Sequence, residues 1–97
     1  MLKYKLSVPA KNDLEDIFDF GVLKFGNAQS LKYLEELEKI ILLLSDNPEI
    51  GRSRNDIKQD LVCYSYKSHI IFYRIYAKHI RIIRVLYGGR DLVKFLK

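Results

Sequence analysis

Residues 69–87 read HIIFYRIYAKHIRIIRVLY, and this stretch decides the fold. Two runs rich in β-branched and aromatic residues, His69 to Tyr76 and Ile80 to Tyr87, are typical of β-strands. The separator between them is too short for anything but an antiparallel hairpin. A third run of the same kind, Leu61 to Tyr66, stands just before them. Together the three runs predict an antiparallel meander.

The two longer strands are apolar on both faces. Ile71 and Tyr73 fall on one parity of the first strand, while Ile70 and Phe72 fall on the other. Helices from the same chain can cover only one face of such a sheet. We therefore expect the other face to serve as a dimer surface or as a groove for a partner segment. Either parity could face the helices.

Upstream of these strands, the alternation of Leu2, Tyr4 and Leu6 with polar residues predicts a first strand that ends before Pro9. From Pro9 the period becomes helical, and Gly26 is a suitable end. The apolar stripe of this helix consists of Leu14, Ile17, Phe18, Val22 and Phe25. The acids Asp13, Glu15 and Asp16 are interpreted as lying near the helix start, where the macrodipole favours them.

A second amphipathic helix is predicted to begin with Asn27 as its cap and to close at the segment 45–48, SDNP. Its apolar positions are Leu31, Leu34, Leu37, Ile41 and Leu44. Because only about two residues separate the helices, they should form an antiparallel hairpin. The segment Asn47 to Gln59 lacks periodicity and is predicted to be a loop that carries Arg52 and Arg54. Residues 90–97 are predicted to be a tail or a helical turn.

These elements predict an α+β fold with one domain, residues 1–97. An N-terminal strand precedes an antiparallel helical hairpin, which packs on one face of a mainly antiparallel four-stranded sheet. With 97 residues, the chain has the length of a single small domain. Its 48% hydrophobic and 30% charged residues are typical of a globular protein rather than a disordered one.

Charge is distributed unevenly along the chain, whose net charge is +5. Residues 1–51 hold six Lys and nine Asp or Glu, a net charge of −3, whereas residues 52–97 hold eleven Lys or Arg and three Asp, a net charge of +8. All six arginines lie in the second half. Such a cluster suits an anionic partner, either nucleic acid or an acidic peptide, although a solvated basic face would have the same composition.

Several classes of protein are excluded by what the sequence lacks. The longest apolar run, residues 40–44, is far too short to span a membrane, and no secretory signal precedes it, so a cytoplasmic location is expected. Cys63 is the sole cysteine and is predicted to be a reduced, buried strand residue. With only two histidines, no metal site is predicted. No cofactor motif is present either.

Basic and aromatic residues on the last strands are the remaining candidates for chemistry. A ribonuclease that activates a 2′-hydroxyl needs an acid, a base and cations around the phosphate. His69 or Tyr87 could supply the acid or base, and Arg74 and Arg84 could supply the cations. The same residue types also serve as packing groups and peptide-binding donors, so the expectation leans away from an enzyme.

Six short stretches, taken in order, resemble the ParE-type toxins of the RelE/ParE superfamily. They are 4–10 (YKLSVPA) with 13–17 (DLEDI), 25–26 (FG), 47–52 (NPEIGR), 68–74 (SHIIFYR), 82–87 (IIRVLY) and the pair Arg90-Asp91. The resemblance covers nearly the whole chain. The segments NPEIGR, SHIIFYRI and IIRVLYGGRD are similar to ParE in particular rather than to the RNA-cleaving branch.

This resemblance implies the toxin of a bacterial type II toxin–antitoxin pair. A cognate antitoxin with an acidic C-terminal segment would wrap the toxin and neutralise it, and DNA gyrase would be the target. Operator DNA would be bound only through the antitoxin complex. The alternative implied by RelE relatives is a ribosome-dependent messenger endoribonuclease. Against it, Phe95 stands near the place of a RelE-type C-terminal tyrosine and has no hydroxyl.

The residues expected to bind the target or the antitoxin are Arg52, Arg54, Arg74, Arg84, Arg90 and Asp91. For Arg74, Arg84 and the pair Arg90-Asp91, an internal ion pair is an equally good interpretation. No catalytic residue is expected for a gyrase inhibitor. The ribonuclease alternative would use His69, Arg74, Arg84 and Tyr87.

Overall fold

The structure is a computed structural model that describes residues 3–89 and 92–96. Its elements, in chain order, are β1 (Lys3–Leu6), α1 (Val8–Phe25), α2 (Asn27–Asp46), a 3-10 turn (Pro48–Ile50), β2 (Arg52–Ser53), β3 (Val62–Tyr66), β4 (His69–Ile75), β5 (His79–Tyr87) and the short helix α3 (Val93–Leu96). The predicted α+β class and the helical hairpin are confirmed. No helix among these residues is both long enough and apolar enough to cross a membrane.

The five strands form one sheet in the order β1-β5-β4-β3-β2. β1 runs parallel to β5, and the remaining neighbours are antiparallel, so the predicted meander is confirmed for β3, β4 and β5. The predicted count of four strands is wrong because β2 lies within the segment predicted as a loop. Arg52 pairs with Cys63 and Ser53 with Val62. Two residues are too few to show a period of two in the sequence.

Ser7 starts α1 and joins it to the sheet. Its hydroxyl accepts a hydrogen bond from the Ala10 amide at 3.0 Å and donates one to the Ile83 carbonyl at 2.7 Å. At the other end, Gly26 has φ 87°, a left-handed value that favours glycine, and ends α1 as predicted. The cap predicted for α2 is wrong, because Asn27 is the first helical residue and Gly26 precedes it without a side-chain cap.

The two helices approach each other closely where Gly21 faces Ser30. A methyl group at Gly21 would collide with the Ser30 hydroxyl, which donates a hydrogen bond to the Phe18 carbonyl at 2.7 Å. Glycine is therefore required by the close approach of the helices rather than by the backbone conformation.

One face of the sheet packs against the hairpin. The buried residues of this cluster are Ala10, Ile41, Leu44, Ile71, Tyr73, Ile80, Ile82 and Val85. Ile71 and Tyr73 therefore belong to the parity of β4 that faces the helices, which decides the question left open by the sequence.

The opposite face carries a second buried cluster, made of Leu61, Cys63, Phe72, Leu86 and Leu96. Ile57 from the loop before β3 and Phe95 from α3 pack against it. The expectation that this face serves as a dimer surface or as a groove for a partner segment is therefore wrong for this part, since the chain covers it with its own loop and C-terminal helix. Cys63 is a buried free thiol on β3, as predicted.

Candidate functional site

Arg84 and Asp13 form a two-point ion pair beside β5. Arg84 Nε donates to Asp13 Oδ2 at 2.7 Å, and Nη2 donates to Oδ1 at 2.8 Å. The two side chains are only 19% and 10% exposed. Hydrogen bonding to Asp13 raises the pKa of Arg84, so the guanidinium stays charged. Bidentate pairs of this kind are the strong form of charge-assisted hydrogen bonding.

Asp13 also completes the hydrogen bonding of β5 beyond the end of β1. β1 stops at Leu6, whereas β5 continues to Tyr87. Past that point the Val85 amide donates to Asp13 Oδ2 at 3.0 Å. A buried amide left unpaired would cost about 1–3 kcal/mol. The carboxylate therefore takes the place of a strand at this edge.

The same arginine reaches the C-terminal helix. Arg84 Nη1 donates to the Phe95 carbonyl at 3.3 Å, and the guanidinium carbon lies 5.5 Å from the centre of the Phe95 ring. Of the two interpretations left open for Arg84, the structure shows the internal ion pair. Its guanidinium binds α1 and α3 rather than facing an external partner.

Two further arginines brace the loop between β2 and β3. Arg54 makes a bidentate pair with Asp56, with Nε–Oδ1 and Nη2–Oδ2 both at 3.0 Å, and this hydrogen bonding raises the pKa of Arg54. Arg74 Nη2 donates to the Gln59 carbonyl at 3.0 Å. Arg52 is exposed on β2 and has no ion pair within residues 3–89 and 92–96. Arg90 and Asp91 lie outside the described residues.

His69 and Tyr87 are cross-strand neighbours on β4 and β5. Their ring centres are 6.1 Å apart in an edge-to-face arrangement. Tyr33 of α2 also contacts the imidazole, and its hydroxyl is 2.6 Å from His69 Nδ1. Tyr66 stacks on Tyr33 with ring centres 6.2 Å apart. We call these four residues the aromatic cluster.

A charged pair flanks the aromatic cluster. Lys67 Nζ and the Tyr66 hydroxyl both donate to Glu36 Oε1, at 3.0 and 2.9 Å. These hydrogen bonds hold the pKa of Glu36 below its ordinary value, and the one from Lys67 has the larger effect. The Lys67 ammonium also lies 5.4 Å from the centre of the Tyr66 ring. The cluster and the pair together attach α2 to the turn between β3 and β4.

The four residues named for a ribonuclease are not brought together. His69 and Tyr87 are adjacent, but Arg74 lies five residues further along β4, about 16 Å away at roughly 3.3 Å per residue. Arg84 is held by Asp13. No arginine of this set therefore lies beside the imidazole and the phenol where a scissile phosphate would sit.

Sequence reasoning missed the role of Asp13. The interpretation as a helix-start acid does not hold, because α1 begins at Val8 and its first turn contains no acid. A usable signal was present. Ala10, Asp13, Leu14 and Ile17 recur at three and four residues, so the carboxylate falls on the apolar stripe. An acid in that position needs a buried partner. Tyr33 and Glu36 gave no comparable signal.

Comparison with known families agrees with this architecture. Residues 4–92 match the family model described as the ParE toxin of the type II toxin–antitoxin system parDE. The chain belongs to the ParE toxin family. The resemblance noted in the sequence is thereby confirmed over almost the full length of the chain.

Two named ParE toxins are similar in sequence. Toxin ParE1 of Caulobacter vibrioides is 32% identical over 91 residues, covering 94% of each chain. Toxin ParE1 of Mycobacterium tuberculosis strain H37Rv is 35% identical over 91 residues, covering 93% of each chain. Both alignments therefore cover more than nine tenths of this chain and of the relative.

A solved structure shares the fold. The chromosomal ParDE toxin–antitoxin system from P. aeruginosa contains a chain that superposes with a TM-score of 0.78 at 21% identity. The superposition covers 90% of this chain and 96% of that one. The helical hairpin on a mainly antiparallel sheet is therefore the architecture of both chains.

Proposed function

We propose that this member of the ParE family inhibits DNA gyrase in the bacterial cytoplasm and is neutralised by a cognate antitoxin. The observation that carries the proposal is the family match over residues 4–92. Relatives named Toxin ParE1, aligned over more than nine tenths of the chain, support it. Inhibition of gyrase is the activity that the resemblance implied.

The geometry favours binding over catalysis. A catalyst of RNA cleavage needs cations within hydrogen-bonding reach of its acid and base. Here Arg84 is committed to Asp13, and Arg74 lies near the far end of β4 from His69. The aromatic cluster is engaged in attaching α2 to the sheet. This arrangement supports a toxin that inhibits its target by binding to it.

The antitoxin is proposed to bind the basic half of the chain through an acidic C-terminal segment. Arg52 is exposed and unpaired within the described residues, and Arg74 uses one guanidinium nitrogen on the loop. Both can pair with carboxylates. Arg54 would exchange its exposed partner Asp56 for a carboxylate of the antitoxin. Arg90-Asp91 stays within the proposed binding set, and operator DNA is proposed to be bound only through the antitoxin complex.

Supercoiling by purified gyrase tests the target. Relaxed plasmid, ATP and gyrase are incubated with the chain, and both supercoiled product and detergent-trapped cleaved DNA are measured. We expect loss of supercoiling and accumulation of cleaved complexes. Unchanged supercoiling with no trapped complex, at toxin concentrations in large excess over gyrase, contradicts the proposed target.

Reversal of inhibition tests the antitoxin. We expect the co-encoded antitoxin to restore supercoiling. The variant Arg52→Glu should require more antitoxin, whereas Lys39→Glu, an exposed α2 variant with the same change in charge, should behave like the parent. Equal loss of neutralisation in both variants contradicts a role for Arg52.

A translation reaction with ribosomes and messenger tests the ribonuclease alternative. Cleavage of messenger within codons, abolished by both His69→Ala and Tyr87→Phe, would transfer the function to the ribonuclease alternative. Intact messenger in the presence of inhibited gyrase agrees with the proposal.

A further inference from the structure

One end of the sheet, beside the turn between β4 and β5, presents cationic and aromatic side chains on the face turned away from the helices. Along each strand these residues alternate with residues that face the helices. Lys5 lies between Tyr4 and Leu6, and Arg81 lies between Ile80 and Ile82. We call this set the cationic strip, and its residues are Lys3, Lys5, Arg74, Tyr76, His79 and Arg81.

The strand register places three of these cations side by side. Arg81 on β5 pairs with Arg74 on β4 and with Lys5 on β1. Neighbouring strands lie about 4.8 Å apart, so like charges face each other across two ladders. Directly opposed like charges destabilise a sheet. The row is therefore unfavourable unless an anion neutralises it.

Among the acids that the structure describes, none performs this neutralisation. Within residues 3–89 and 92–96, none of Lys5, Arg74 and Arg81 takes part in an ion pair. Asp60 lines the same shallow groove as Arg74 and Tyr76 but forms no ion pair there. Arg74 uses one nitrogen on the Gln59 carbonyl and keeps further donors available.

A flat aromatic surface adjoins the row. Tyr76 and His79 stack with ring centres 4.9 Å apart and planes at 11°, and the Tyr76 amide donates to the His79 carbonyl at 2.8 Å. Tyr76 remains 43% exposed. Lys3 pairs with His79 on the outer side. The strip thus combines a line of cations with a rigid, exposed ring.

We propose that the cationic strip binds single-stranded nucleic acid. Cations that follow a phosphate backbone, next to aromatic rings on which bases stack, are the combination by which proteins hold single strands without sequence preference. An acidic peptide would satisfy the cations but would leave the exposed Tyr76 ring without a stacking partner. This binding goes beyond the inhibition of gyrase and requires neither gyrase nor an antitoxin.

Fluorescence anisotropy of labelled oligo(dT) and oligo(U) with the purified full chain measures this binding. Both should bind, with an affinity that falls as salt rises; a preference between them distinguishes DNA from RNA as the source of the strand. The variant Lys5→Gln/Arg74→Gln/Arg81→Gln should lose at least about tenfold in affinity, and the slope of log affinity against log salt should fall by about 2. Tyr76→Ala should weaken binding by about tenfold with little change in that slope.

The matched control removes three exposed cations from the helices, as Lys11→Gln/Lys32→Gln/Lys39→Gln, and should bind within about twofold of the parent because phosphate contacts act within a Debye length. Circular dichroism checks that all variants are folded. No binding at low salt, or equal losses in the two triple variants, overturns the proposal. Binding of poly-glutamate with equal affinity and the same dependence on Tyr76 would also overturn it, in favour of an acidic polypeptide. Each result is independent of whether the chain inhibits gyrase.

Discussion

Asp13 and Arg84, 71 residues apart in the sequence, are joined at both carboxylate oxygens, at distances of 2.7 and 2.8 Å. The pair links the first helix to the last strand. Because Asp13 also accepts the Val85 amide, one carboxylate holds both a side chain and a strand edge. Any change to it acts on two interactions at once.

Replacing Asp13 by Asn should lower the free energy of unfolding by about 3 kcal/mol, because a buried guanidinium loses its counter-charge. Urea denaturation measures the change. Arg84→Met should be similarly costly alone, since it leaves the carboxylate buried without its cation. The double variant Asp13→Asn/Arg84→Met should be less destabilised than the sum of the single variants, which a double-mutant cycle would reveal.

The exposed pair Arg54–Asp56 is the control for that prediction. Its geometry is also bidentate, but the carboxylate is 66% exposed. Removing it with Arg54→Gln should cost no more than about 1 kcal/mol. A loss as large as that of Asp13→Asn would contradict the assignment of the stability to burial.

Gly21→Ala should destabilise the chain even though alanine favours helix. The added methyl would collide with the Ser30 hydroxyl, and separating two packed helices costs about 1–3 kcal/mol. Thermal unfolding followed by circular dichroism measures the loss. Adding Ser30→Ala should recover part of it by removing the oxygen. A more stable Gly21→Ala variant would show that the helices separate freely at this point.

Tyr73 should make the chain sensitive to alkali. Burial raises the pKa of Tyr73 from 10.0 to about 12, so the folded state favours the neutral phenol. A raised pKa gives stability that is present in full below pH 10 and lost as pH rises from 10 towards 12. The loss should be about 2 kcal/mol.

Tyr73→Phe isolates this effect. At pH 7 the variant should be about 1 kcal/mol less stable than the parent, because it loses the 2.7 Å hydrogen bond that the Tyr73 hydroxyl donates to the Pro48 carbonyl. Above pH 10 the difference should shrink and then reverse. Chemical denaturation at a series of pH values gives the curve, with Tyr87→Phe, at an exposed tyrosine, as the control. A difference that is constant with pH would contradict the prediction.

The ionised Glu36 carboxylate should contribute to the stability of the fold, and this contribution should be lost at acidic pH. The hydrogen bond from Lys67 lowers its pKa below 4.5, so its contribution is present above pH 4.5 and is lost as pH falls through the lower folded value. In Glu36→Gln this part of the acid dependence should be absent. Proton NMR titration of the carboxyl group, together with unfolding at pH 3 to 6, tests the sign. A pKa above the ordinary value would contradict it.

The sequence predicted the elements that depend on local patterns. The β-branched and aromatic runs of β4 and β5 and the helical stripe of α1 each extend over many positions, so each element is supported by several residues. β2 was not predicted, because the pairing of its two residues depends on the loop geometry rather than on a sequence pattern. The packing of Phe95 and Leu96 on the second face of the sheet was not predicted either, since it depends on where a short C-terminal helix lies.

Candidate site residues were harder to place than elements. Arginines on strands were recognised as important from their charge, but charge alone does not say whether a guanidinium faces inward. Arg84 faces Asp13, while Arg81, three residues earlier, faces solvent. The register pairs Arg81 with Arg74 and Arg84 with Phe72, so the β-bulge between Phe72 and Tyr73 brings these two arginines, three residues apart, to the same face of the sheet. A bulge adds one residue to a strand and leaves no pattern in a single sequence.

The parallel pairing of β1 with β5 has a consequence for synthesis. β1 is translated before β5 but pairs with it. Asp13 therefore cannot make its hydrogen bonds until Arg84 and Val85 have been translated. A growing chain can form the α1–α2 hairpin early, but its core stays open until β5 has been made. Folding is therefore completed only after β5 has been translated, and before that point the nascent chain has no complete sheet with which to bind any target.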